Sequence, residues 1–121
     1  MDDTYARVHA LLAGLPGAVE DTPFGPDALV FKVGGKLYAI LSRDRQPATL
    51  SLKVDPLEGE ALRQSWAAIE PGYHLNKRHW ITVTLDGSLP DELLEDLIRD
   101  SYDLVVRGLT RAARAALPPA G

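Results

Sequence analysis

The stretch at residues 71–85, PGYHLNKRHWITVTL, combines a turn signal with the most regular strand pattern of the chain. A Pro-Gly pair opens it, and the run that closes it alternates apolar and polar residues. If Ile81 and Val83 point into a core, the two-residue period of a strand places Trp80 and Thr82 on the opposite face. The stretch therefore predicts a β-hairpin whose second strand has one buried face.

The same hairpin carries the densest run of basic, aromatic and amide side chains in the chain. A tryptophan on one face with threonines, just after a Lys-Arg pair, could stack on or grip a ligand. The alternative is that a helix covers the tryptophan and the basic pair only keeps the hairpin soluble. With the lysines of neighbouring strands, the candidate binding residues are Lys32, Lys36, Lys53, His74, Asn76, Lys77, Arg78, His79 and Trp80.

Composition indicates a soluble globular protein: of 121 residues, 45% are hydrophobic, 25% charged and 7% aromatic. This length is sufficient for one domain, which we expect to span residues 1–121. We predict no membrane segment, and the acidic N-terminal stretch does not resemble a signal peptide. Because the chain has no cysteine, it has no disulfide or thiolate site, and we expect a cytoplasmic location.

Charge is unevenly distributed along the chain. Residues 1–29 hold one basic and five acidic side chains, residues 30–80 eight and five, and residues 81–121 four and seven. The segment nets are thus −4, +3 and −3, which sum to the formal charge of −4. If the protein meets a polyanion, we expect contact through the central strands and not through the terminal helices.

The elements are predicted in the order helix, three strands, helix, two strands, helix. A first helix is predicted from Thr4 to Ala13, followed by an irregular stretch at 17–27 in which Phe24 inserts into the core. Gly34-Gly35 predicts a two-residue hairpin between strands 29–33 and 36–42, because both positions can take positive φ.

A third strand is predicted at 49–54. The Asp-Pro pair at Asp55 predicts a helix start, with the helix running to about Ala68 and burying Leu57. The last helix is predicted to begin at the Ser88 cap, with an apolar stripe that includes Ser101. A frayed tail is expected from Leu117.

No pattern indicates catalysis or a metal. His74 and His79 lie five residues apart in extended chain, so they point to opposite faces, and no third ligand has suitable spacing. None of the serines lies in a nucleophile elbow, and Gly34-Gly35 is not followed by a helix that could receive a phosphate. We therefore predict no enzymatic activity, no cofactor and no metal.

Several blocks of the sequence resemble the MmcQ/YjbR family of small bacterial proteins. They are DTPFGPDALVFKVGGKLYAIL, LKVDP, PGYHLNKRHWITVTLDGSLPDELLEDLI and SYDLVV, and they cover nearly the whole chain. The resemblance implies an α+β fold with an antiparallel sheet packed by helices, similar to secretion chaperones. It also implies DNA binding through a double wing of β-hairpins.

Three functions stay open at this point: DNA binding, a protein- or peptide-interaction module, and a small-ligand site. A continuous basic surface joining Lys32, Lys53, Lys77 and Arg78 would favour DNA. An exposed apolar groove along the sheet would favour a protein partner, and a deep pocket enclosing His74, His79 and Trp80 would favour a small ligand. The oligomeric state is not fixed by the sequence, and a monomer is our working expectation.

Overall fold

A computed structural model describes residues 4–118. Its elements in chain order are α1 (Thr4–Ala13), β1 (Val19–Asp21), β2 (Ala28–Val33), β3 (Lys36–Ser42), β4 (Thr49–Lys53), α2 (Pro56–Ser65), β5 (Ile69–Pro71), β6 (Trp80–Thr84), α3 (Asp91–Arg107) and α4 (Arg111–Ala115).

The strands form one sheet in the order β1-β2-β3-β4-β6-β5, and each neighbouring pair is antiparallel. Strands β1 to β4 follow one another across the sheet. After α2 the chain enters the outer position as β5 and returns as β6 beside β4. The α+β class and the single antiparallel sheet predicted from the sequence are confirmed.

One face of the sheet, which we call the helix face, carries the core. Leu41, Leu50 and Val83 are paired in register across β3, β4 and β6, and all three are fully buried. The helix α3 packs against β3 and β4 with side chains such as Leu97 and Ile98. Each aliphatic side chain buried in this way contributes about 1.5–3 kcal/mol to folding.

A β-bulge in β3 is stabilised by a serine from α3. Phe31 pairs with Ala39 and Lys32 pairs with Leu37, so Tyr38 has no partner residue in β2. The fully buried Ser101 donates a hydrogen bond to the Tyr38 carbonyl oxygen at 2.6 Å. Its Oγ also accepts one from the Lys53 N–H at 2.8 Å. Ser101 thus satisfies one backbone group of β3 and one of β4, just beyond the last register pair of these strands, Ala39 and Leu52.

Two tyrosine hydroxyls connect this centre to the segment after α1. Tyr38 donates to the Leu12 carbonyl at 2.6 Å, and Tyr102 donates to the carbonyl of Pro16. The two rings pack edge to face with centres 5.5 Å apart. Burial raises the pKa of both phenols, so both remain protonated donors.

The backbone differs from the sequence prediction at β1, at the end of α2 and in the last helix. Val19–Asp21 is a strand and not irregular chain; all three residues are exposed at the sheet edge, so they show no alternation. The helix α2 ends at Ser65, because Ile69 pairs with Val83 in the sheet.

The last helix is also different from the prediction. It begins at Asp91 with Pro90 in the capping position, whereas Ser88 lies in the preceding turn, where its N–H donates to Asp86. The chain breaks after Gly108 into a separate α4, whose cap Thr110 accepts from the Ala113 N–H. A second hydrogen-bonded cap is the physical reason that one long helix becomes two.

Two side chains predicted to be buried are exposed instead. Phe24 is 79% exposed, because its loop stands over the face of the sheet away from the core. Leu57 is also 79% exposed, since the first turn of α2 directs it outward. Leu117, where the tail was expected to begin, packs against the core. Residues 119–121 of that tail lie outside the described residues.

Candidate ligand-binding face

The face of the sheet opposite the core, which we call the open face, is anchored by two hydroxyls. Ser51 Oγ and Thr82 Oγ1 lie 2.9 Å apart between β4 and β6, and both residues are buried. Thr82 Oγ1 also accepts a hydrogen bond from the Tyr73 backbone N–H at 2.9 Å. These bonds hold the start of the β5–β6 loop against the open face.

The rest of that loop is closed by its own polar side chains. Lys77 Nζ donates to the Gly72 carbonyl at 2.9 Å. The side-chain oxygen of Asn76 accepts from the N–H groups of Arg78 and His79, at 2.9 and 3.2 Å. Asn76 therefore forms the turn, and the side chains of Arg78 and His79 project from it into solvent.

His74 has the left-handed backbone conformation that non-glycine residues rarely adopt, with φ of 59°. Its ring lies against the ring of Tyr73, with centres 3.9 Å apart. The guanidinium carbon of Arg45 lies 4.9 Å from the centre of the same tyrosine ring. Backbone strain of this kind is concentrated at binding sites, which makes this part of the loop a functional candidate.

Between this loop and the loop before β2 lies a groove of about 480 Å³ on the open face. Its floor consists of the aliphatic residues Val30, Leu37 and Ile40 of β2 and β3. Its two aromatic walls are Phe24, which is 79% exposed, and Tyr73, which is 53% exposed. The volume lies within the range of small-molecule and side-chain pockets, about 300–1,000 Å³.

The ionisable residues that line the groove are all of basic types. Lys32, Lys36 and His74 line it, and none of the described lining residues is acidic. Outside the lining, Asp21 is the register partner of Val30, and its carboxylate accepts a hydrogen bond from the Thr22 N–H at 2.8 Å. The groove therefore combines an apolar floor with a positive margin.

The nine residues predicted from the sequence divide into two groups. Three of them line the groove, and the others lie along the turn and the adjacent strand ends. In the second group Lys53 and Trp80 are register partners in β4 and β6, and both are half-buried. Of the three residues expected around a small-ligand pocket, His74 lines the groove, whereas His79 and Trp80 are not among its described lining residues.

Sequence reasoning missed Phe24, Tyr73 and Arg45 as site residues. The signal available for Phe24 was its position between Pro23 and the Gly25-Pro26 pair, where no regular element could bury it. Tyr73 follows the Pro-Gly turn directly, and its exposure depends on how the loop folds back.

Charge is distributed unevenly between the central strands with their loop and the helix α3. Residues 30–54 and 71–80, which form the central strands and the loop, contain seven basic side chains and one acidic side chain. The helix α3 on the other face contains six acidic and two basic side chains. Partial burial raises the pKa of the Asp100 carboxyl, and the neighbouring carboxylates of Asp96 and Asp103 raise it further. The edge strands add carboxylates to the open face, since Asp21 pairs with Val30 and Glu70 with Thr82. The positive excess is therefore confined to the central strands and the loop, where Arg43 is paired with Asp27 at 3.6 Å.

Within residues 4–118, no group of three or more histidine, aspartate or glutamate side chains is placed to hold a metal ion. Across the same described residues, no helix has the length and apolar character needed to cross a membrane. The absence of catalysis expected from the sequence stays a prediction.

The sequence of this chain is similar to a family model and to several known proteins. A family model described as YjbR matches residues 13–104. Uncharacterized protein YbdF of Escherichia coli O157:H7 is 42% identical over 97 residues, which cover 80% of this chain and 80% of that protein. Uncharacterized protein YjbR of Escherichia coli K12 is 38% identical over 102 residues, covering 84% and 86%.

Solved structures have the same fold. The crystal structure of Deinococcus radiodurans protein DR2400, with the domain named DUF419, aligns with a TM-score of 0.84 at 48% identity, covering 91% of this chain and 84% of that one. A crystal structure from Pseudomonas syringae aligns with a TM-score of 0.69 at 32% identity, covering 86% and 98%. Because the family model matches most of the sequence and these relatives align over nearly all of it, the chain belongs to the YjbR family.

Proposed function

We propose that this chain is a non-catalytic DNA-binding protein that contacts DNA with its open face. The observation that supports the proposal is the uneven distribution of charge, with seven basic and one acidic side chain in the central strands and loop against two basic and six acidic in α3. A net charge of −4 would weaken attraction if it were spread evenly. The uneven distribution favours approach to a phosphate backbone by the central strands and the loop, and disfavours approach by α3.

The turn of the β5–β6 loop would make the principal contacts. Arg78 projects into solvent, and Lys77 is exposed although one of its protons is used on the Gly72 carbonyl. Lys53 lies at the adjacent end of β4, opposite Trp80. Lys77 and Arg78 sit on a turn closed by hydrogen bonds, and an ordered turn loses little conformational entropy when it binds.

We expect these contacts to position the protein on DNA without reading its sequence. Asn76, the amide best suited to an adenine edge, already accepts two backbone N–H groups within its own turn. The cationic side chains of the turn, Lys77 and Arg78, are suited to contacts with phosphates, which carry no sequence information. Such a role also requires the cytoplasmic location expected from the sequence, where bacterial DNA is found.

The proposal is tested by titrating the protein into labelled duplex and single-stranded DNA at several salt concentrations. Each phosphate contact contributes about −0.9 to the slope of log K against log salt for duplex, and about −0.7 for a single strand. Three to four contacts predict a duplex slope of about −3. Several unrelated sequences should bind within a narrow range of affinity. A slope near zero, or no binding at low salt, would contradict the proposal.

A further inference from the structure

We infer that the groove between Phe24 and Tyr73 binds an acidic peptide segment, which inserts a large apolar side chain between the two rings. This is a second binding function, and it does not depend on DNA binding. Its occupant would be a segment of a partner protein with an aromatic or leucine anchor next to aspartate or glutamate. The inference rests on the apolar lining, the charge at the margin and the fixed geometry of one wall.

The apolar lining is continuous from wall to wall. Phe24 and Tyr73 are two of the four large apolar residues that are exposed among the described residues, and they face the same groove. Leu37 and Ile40, both half-buried, lie on the floor between them. Neighbouring exposed apolar side chains of this kind mark interaction sites, because a partner that covers them removes apolar area from water.

The charge at the margin selects the partner. Lys32 and Lys36 come from the two strands joined by the Gly34-Gly35 turn, and both line the groove together with His74. No carboxylate among the described lining residues neutralises them. A partner segment with carboxylates beside its apolar anchor would pair with these lysines, whereas a basic segment would be repelled.

The shape of the lining favours a peptide over unpaired bases. Bases bind by stacking on free aromatic faces. The Tyr73 ring is already contacted by the His74 ring at 3.9 Å and by the Arg45 guanidinium, so less of its surface is free for stacking. The floor is aliphatic and suits an apolar side chain. The hydrogen bond from the Tyr73 N–H to Thr82 Oγ1, at 2.9 Å, holds the backbone of this wall in place, which reduces the entropy lost on binding.

The test begins with phage display of random short peptides on the wild-type protein. Enriched sequences should contain an aromatic residue or leucine next to acidic residues, and they are then synthesised with a fluorescent label. Phe24→Ala should weaken their binding about tenfold or more, as expected for an anchor contact. Leu57→Ala is the matched control, because Leu57 is equally exposed at 79% but lies on α2. It should leave the affinity unchanged.

A second pair of variants tests the charge. Lys36→Glu should weaken the same peptides, whereas Arg111→Glu on the exposed surface of α4 makes the same charge change and should not. The inference is overturned if no peptide is enriched, or if the enriched peptides bind Phe24→Ala as tightly as wild type. It is also overturned if Phe24→Ala instead weakens binding of an oligothymidylate, since the groove would then hold bases. Peptide binding that persists when DNA binding is absent would leave this inference intact.

Discussion

Replacing Ser101 with alanine should destabilise the fold far more than the loss of one oxygen atom suggests. The serine hydroxyl donates to the Tyr38 carbonyl and accepts the Lys53 N–H, and it is fully buried. In the variant, both backbone groups would be left without a partner at the bulge in β3.

The magnitude follows from these two groups. A buried polar group that loses its only partner costs about 1–3 kcal/mol, so two such groups cost about 2–6 kcal/mol. Alanine is a better helix former than serine, which returns about 0.5 kcal/mol. The net loss of about 2–5 kcal/mol corresponds to a melting temperature lowered by about 8–20 °C, at about 4 °C per kcal/mol for a domain of this size.

The assay is thermal unfolding followed by circular dichroism, with Ser65→Ala as the control. Ser65 is the exposed last residue of α2, so this substitution should change the melting temperature far less than Ser101→Ala does. If Ser101→Ala melts within about 3 °C of wild type, the serine does not bridge β3 and β4 as described.

Two further predictions concern stability. Gly35→Val should lower the free energy of unfolding by on the order of 1 kcal/mol, and Gly34→Val should lower it by more. Both glycines have positive φ, but a Cβ at Gly34 would meet Leu109 at 2.7 Å, whereas a Cβ at Gly35 meets nothing within 4 Å. Equal melting temperatures for the two variants would contradict this. Asp100→Asn should raise the melting temperature at neutral pH, because burial and Asp96 raise the pKa of this carboxyl in the folded state, so that its charge opposes folding above that pKa. The gain should disappear as the pH falls through the raised pKa and the wild-type carboxyl becomes protonated, and a gain that is the same at acidic and neutral pH would count against the electrostatic explanation.

The parts of the fold that have a local cause were predictable from the sequence. The buried positions of Ile81 and Val83 follow from alternation, and the Gly34-Gly35 turn has the positive φ values that its residues allow. Asp55 caps α2 by accepting the N–H groups of the first turn, as its position before proline predicts. In each case the information lies within a few residues. The expectation that β6 has only one buried face was wrong, because Ser51 and the start of the β5–β6 loop also bury Thr82.

The features that could not be predicted from the sequence depend on contacts between distant parts of the chain. Strand β1 exists because β2 offers it an edge, and its exposed residues carry no period of their own. The groove joins Phe24 to Tyr73 across β2 and β3, and this requires the strand order and the folded-back loop together. Charge alone identified Lys32 and Lys36 as candidates, but it could not show that aromatic walls stand beside them.

DNA binding by the open face is tested most directly by comparing two double variants in the same salt titration. Lys77→Ala with Arg78→Ala removes two cations from the turn, and Arg99→Ala with Arg107→Ala removes two from α3 on the other side of the sheet. The turn variant should weaken binding to all duplex sequences similarly and flatten the slope of log K against log salt by roughly 2, while the α3 variant keeps the wild-type slope. If the turn variant binds like wild type at low salt, or if both variants lose affinity equally, the open face is not the DNA-binding surface.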